Sequence, residues 1–144
     1  MIYSTATVPV NPEGAPPLTR AQARAGLVLK ARDARLFLPP NLCTRCEVVE
    51  ESATHIVREA TITGDDLREI IAFEPEKKVT FFQATGPREG AIVNELFEDE
   101  AGALQLRFYC CTGLRGRSLS VPKSRPNRPG WTATRATRAP CCRP

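Results

Sequence analysis

Between Cys43 and Cys111 the chain runs in short stretches of alternating apolar and polar residues, broken by turn formers at intervals of about ten residues. That rhythm constrains the fold more than any other feature, because it is the spacing of an antiparallel meander. It predicts strands near 43–50, 54–62, 67–74, 78–85, 91–98 and 103–111. The breaks are Glu51-Ser52, Gly64-Asp65-Asp66, Glu74-Pro75-Glu76, Gly86-Pro87 and Asp99-Glu100-Ala101-Gly102, all rich in residues that favour turns. In the last run Leu104, Leu106, Phe108 and Cys110 share one face, while Gln105, Arg107 and Tyr109 share the other. One side is therefore buried and one wet. Phe81 with Val79, and Phe73 with Ile71, extend the apolar side onto neighbouring strands.

Ahead of the meander, residues 2–10 are rich in Val, Thr and Tyr and read as a strand, ended by Asn11-Pro12-Glu13-Gly14. Thr19 reads as a helix N-cap, with Gln22 placed to close a capping box. The helical stretch from about Arg20 carries Ala23, Leu27, Ala31 and Ala34 at core spacing, and turns Arg24, Lys30, Arg32 and Arg35 mostly toward water. Pro39-Pro40 stops it. The expected order is a strand, a helical pair, then six strands.

Charge divides the chain. Through Cys111 there are 12 Lys/Arg and 16 Asp/Glu; from Thr112 onward there are 8 Lys/Arg and no acid. The chain of 144 residues is expected to hold one compact domain over 1–111 and a basic, proline-rich tail over 112–144. No apolar run is long enough to span a bilayer, and the first residues lack the pattern of a secretory signal. A cytoplasmic location is the expectation. There the six cysteines would be thiols rather than bridges.

The order of elements, with His55-Ile56-Val57-Arg58-Glu59-Ala60, Leu67-Arg68-Glu69-Ile70-Ile71-Ala72-Phe73 and Val79-Thr80-Phe81-Phe82, resembles the AtaL-like domain of the SRPBCC superfamily. The resemblance covers about residues 1–111. It implies an α+β helix-grip fold, as in START domains and the birch-pollen allergen: a curved antiparallel sheet, two short N-terminal helices and a long C-terminal helix gripping an apolar cavity. It also implies a hydrophobic small-molecule partner. Ile56, Ile71, Phe73, Phe81, Leu106 and Phe108 would line the cavity, with Arg58, Gln83 or Asn94 as polar anchors. The plainer reading of the same apolar residues is a packed core.

The tail departs from this pattern. Pro122, Pro126, Pro129, Pro140 and Pro144 exclude a long helix, at about 3 kcal/mol for each interior proline, so the grip helix is expected to be missing or replaced. A shifted reading frame, a basic arm for an anionic surface, and a solvated tail without a partner are the three readings of 112–144. Trp131 is its only aromatic residue, which argues against nucleic acid as a partner. An apolar sheet face left open would favour self-association.

Specific chemistry is sparse. Cys43-x-x-Cys46 has the spacing of half a zinc site, but no matching second pair follows, and Cys110-Cys111 and Cys141-Cys142 are adjacent doublets. No metal and no cofactor are expected. His55 is the only histidine and stands beside a turn, as a surface residue would. Arg58 and Glu59 take opposite faces of one strand; an inward Arg58 would need Glu69 or Glu95, and otherwise the pair is an exposed contact worth little. No catalytic set is assigned. The expected function is binding of a small hydrophobic molecule. The second reading is a cyclase, aromatase or hydrolase-like cavity enzyme for a polyketide-like or aromatic substrate, with Arg58 or Tyr109 polarising a carbonyl; a third is an inactive remnant.

Overall fold

The computed structural model describes residues 1–116. Strand β1 (Ile2–Pro9) is followed by helix α1 (Arg20–Arg32) and a 3-10 turn (Ala34–Leu36), then by β2 (Cys43–Glu51), β3 (His55–Ile62), β4 (Asp65–Glu74), β5 (Lys78–Gln83), β6 (Arg88–Glu98) and β7 (Leu104–Leu114). The strands form one 7-stranded antiparallel sheet in the order β1-β7-β6-β5-β4-β3-β2. The meander from β2 to β7 follows the expected rhythm. β1 crosses over to pair with β7, so β1 and β2 are the sheet edges.

The α+β helix-grip architecture with two short N-terminal helices is overturned. Among the described residues there is one α-helix, and the second helical piece is a three-residue 3-10 turn. Asp33 causes the break: its backbone is extended, at φ −140° and ψ 102°, and its carboxylate accepts from the Arg35 amide at 3.0 Å. A side chain that bonds its own downstream backbone competes with helix continuation. Pro39 and Pro40 then prevent a restart. The expected tail over 112–144 lies largely outside the described residues; Thr112, Gly113 and Leu114 are the last residues of β7, paired with Gly90, Glu89 and Arg88.

The start of α1 forms as its sequence dictates. The Gln22 amide donates to Thr19 Oγ1 at 3.2 Å, and the Thr19 amide donates to Gln22 Oε1 at 2.8 Å, closing the capping box. The helix lies across one face of the sheet. Leu27 and Ala31 pack with Ile56, Ile71, Val79, Phe81 and Leu96, and a second cluster joins Ala34 to Cys43, Cys46 and Ala60. The opposite face carries charged pairs such as Arg45–Glu59 at 3.0 Å, with Ile70 and Phe82 exposed among them.

Two local irregularities serve this packing. Cys43 and Cys46 are three positions apart, which in a regular strand puts them on opposite faces. A register shift between Cys43 and Arg45 returns both to the buried side, where the Ala34 amide donates to Cys46 Sγ at 3.3 Å. Gly90 sits at φ 118°, and a Cβ there would stand 2.0 Å from the Cys111 carbonyl oxygen, so only glycine lets β6 approach β7 this closely. Gly90→Ala is expected to destabilise the protein by about 1–3 kcal/mol or more, read as a lowered urea midpoint with an unchanged slope.

Candidate functional site

Antiparallel register gathers distant residues onto the face beneath α1. One row across the sheet runs Ile56, Ile71, Phe81, Ile92, Cys110; the next runs Phe73, Val79, Asn94, Phe108; and Arg58, Glu69 and Gln83 form a third. All nine residues expected at the cavity, Ile56, Arg58, Ile71, Phe73, Phe81, Gln83, Asn94, Leu106 and Phe108, therefore share one face. They do not share one environment. Ile56, Ile71 and Phe81 are buried in the core under the helix, whereas Leu106 and Phe108 border open space.

That space is one of a row of adjoining hollows between the sheet and the stretch from α1 to Leu38, together called the groove. One end, about 510 Å³, lies between β1, the outer half of α1 and β7, against Val8, Gly26, Leu27, Leu96, Leu106 and Phe108. The middle, about 220 Å³, is bounded by Phe37, Ile62, Phe81 and Ile92, with Lys30, Arg58, Glu69 and Asn94 as its polar lining. Lys30, Phe37 and Leu38 line both. A further hollow of about 250 Å³ past Leu38 and Ile62 is lined by Gln83, Thr85 and Arg88.

Arg58 organises the floor. It is 3% exposed. Its Nε donates to Glu69 Oε2 at 3.1 Å and its Nη2 to the same oxygen, while Nη1 donates to the Lys30 and Ala31 carbonyls, each at 2.9 Å. Those carbonyls belong to the last turn of α1, which has no intrahelical donors for them, and a cation is favoured at the negative end of the helix dipole. The guanidinium also stands 5.5 Å from the Phe81 ring centroid. Glu69 is thus the partner of Arg58. Glu95 pairs instead with Arg107 at 3.7 Å on the other face.

Lys30 was expected to face water and instead turns into the groove. Its Nζ donates to Asn94 Oδ1 at 2.9 Å and lies 5.2 Å and 5.7 Å from the Phe108 and Phe81 ring centroids. Burial pushes its ammonium pKa down, the Arg58 cation adds to the effect, and Glu69 opposes it. Lys30 follows Leu27 by three positions and precedes Ala31 by one, so it belongs geometrically to the apolar stripe of α1; only its charge hid it. Phe37, Leu38, Ile62 and Ile92 were also missed as lining. Asn94 is 0% exposed, and among the described residues neither its Nδ2 nor Gln83 Oε1 has a hydrogen-bond partner.

The remaining candidates stand elsewhere. Tyr109 pairs with Val93 and Thr5 and, alternating with Phe108, points to the face away from the groove. His55 sits at the β2–β3 turn with its Nδ1 2.9 Å from Ser52 Oγ. Burial pushes the Cys43 thiol pKa up, and the neighbouring Cys46 adds to this, which favours a neutral thiol over a metal-binding or nucleophilic thiolate. Arg24 lies over the Phe73 ring at 5.4 Å instead of extending into solvent.

The family model described as acetylaranotin biosynthesis cluster protein L, AtaL, matches residues 4–126. The chain belongs to the AtaL family. The AtaL match continues past Cys111, where the resemblance in the sequence was expected to stop. No curated protein matches the chain. No helix among the described residues is long and apolar enough to cross a membrane.

Removing one member of a buried ion pair leaves the other charge uncompensated, at a cost of about 3–5 kcal/mol. Glu69→Leu is expected to lose that much in urea unfolding. The Arg58→Met/Glu69→Leu double variant is expected to be more stable than Glu69→Leu alone.

Proposed function

We propose that this protein binds a small hydrophobic molecule in the groove between α1 and the sheet. The observation that carries the reading is the groove itself: apolar side chains from β1, α1, β3, β5, β6 and β7 border it, and a few polar groups converge at its middle. Small-molecule sites have this composition, and their usual volume is about 300–1,000 Å³. The resemblance to the SRPBCC superfamily points the same way, since its members hold hydrophobic molecules over an antiparallel sheet. Because the family is described by a biosynthesis cluster, a biosynthetic intermediate is the class of ligand we favour, met in the cytoplasm.

Binding is favoured over a cyclase, aromatase or hydrolase-like reaction by the positions of the two groups suggested for polarising a carbonyl. Arg58 spends its donors on Glu69 and the helix carbonyls. Tyr109 is on the far face.

Gly26 supplies a direct test. It lines the larger end of the groove, and a Cβ built on it meets nothing within 4 Å, so a large side chain there fills the space without a clash at its base. Phenylalanine also has the higher helix propensity. Gly26→Phe is expected to weaken binding of the neutral dye Nile red at least tenfold, followed by fluorescence titration, with the melting temperature unchanged or raised. Equal binding by both proteins would contradict the proposal.

A further inference from the structure

Among the described residues, the cation in the middle of the groove has no counter-ion of its own. None of the ion pairs among the described residues involves Lys30, and its one hydrogen bond is to the neutral Asn94 amide oxygen. Glu69, the only acid among the described residues of this lining, is engaged twice by Arg58. Lys30, Arg58 and Glu69 together therefore leave one positive charge. No Asp or Glu follows Glu100 in the sequence, so residues 117–144 bring no acidic side chain to cancel it. The Phe81 and Phe108 rings compensate only in part, since a cation over an aromatic face gains about 0.5–2 kcal/mol and a half-desolvated charge needs more.

Beside this cation is an unused donor. Lys30 donates to Asn94 Oδ1, which fixes the amide so that Nδ2 is the remaining group; Asn94 borders the groove, and its Nδ2 is buried without a partner among the described residues. A buried donor left unmade costs about 1–3 kcal/mol. An ammonium and an amide N–H side by side, walled by two aromatic rings, match an anionic oxygen attached to an aromatic or other apolar body. A neutral ligand would satisfy the rings and leave both donors unserved.

We infer that the ligand is a small organic acid whose carboxylate is held by Lys30 and the Asn94 amide, with its apolar part running along the groove past Phe108. This rests on the groove being the binding site. The test is isothermal titration of the full chain with naphthalene-2-carboxylate and with naphthalene-2-carboxamide, which differ in charge and not in shape.

The wild type is expected to bind the acid at least tenfold more tightly than the amide. Lys30→Met, which keeps the apolar stem, is expected to abolish that preference while retaining the amide. In Asn94→Asp the new carboxylate pairs with Lys30, so the acid should be lost, the amide kept and the melting temperature raised. Equal binding of both probes by the wild type, or a preference that survives Lys30→Met, would overturn the inference and leave the groove as a hydrophobic site. Binding of neither probe would overturn both readings.

Discussion

The buried Arg58 guanidinium is the contact on which the arrangement of helix and sheet depends. It reaches from β3 to two carbonyls at the end of α1 and to Glu69 on β4, so one side chain joins three elements through charge-assisted bonds, which are stronger than neutral ones. The apolar contacts of Leu27 and Ala31 would hold the helix somewhere on this face, because hydrophobic burial is not directional. Arg58 specifies where. The last turn is pinned over β3, and space remains between Ala23, Gly26 and Leu27 of α1 and Leu106 and Phe108 of β7; that space is the groove.

Polar groups on an apolar face are costly unless satisfied, and this protein concentrates them in one place. Arg58 and Glu69 satisfy one another. Lys30 and Asn94 do so only in part, with the Asn94 Nδ2 left over. A folded protein keeps such groups where a ligand, an ion or an ordered water completes them or where they specify one packing over another. Here the complete pair fixes the helix, and the incomplete pair belongs to two residues that border open volume. In the proposed reading, stability and binding fall to adjacent but different residues, Glu69 serving the fold and Lys30 the ligand.

Much of the sheet was legible because alternation has a period of two and each turn carries its own chemistry. Leu104, Leu106 and Phe108 declare their shared face with no reference to the rest of the chain. The Thr19–Gln22 capping box was legible for the same reason: it is local. What remained hidden involves contacts made across the sheet. Nothing near Asp33 announces that its carboxylate will bond Arg35 and end the helix before Pro39. A bulge places Cys43 and Cys46 together on the buried side, which their spacing in the sequence does not announce. Lys30 was read by its charge instead of its position on the helical stripe, although a long stem lets a lysine lie on an apolar face. The nine candidate residues share one face, but a shared face does not tell core from groove: Ile56 and Ile71 are under the helix, while Phe108 is beside it.

If the space between α1 and β7 takes a small apolar molecule, one can be seen there. Crystals grown with 4-iodophenol would place the iodine by its anomalous signal. The account predicts the iodine between Gly26, Leu106 and Phe108, with the Arg58 contacts to α1 intact. Iodine confined to the opposite face near Ile70 and Phe82, with the groove closed by movement of the helix, would contradict it.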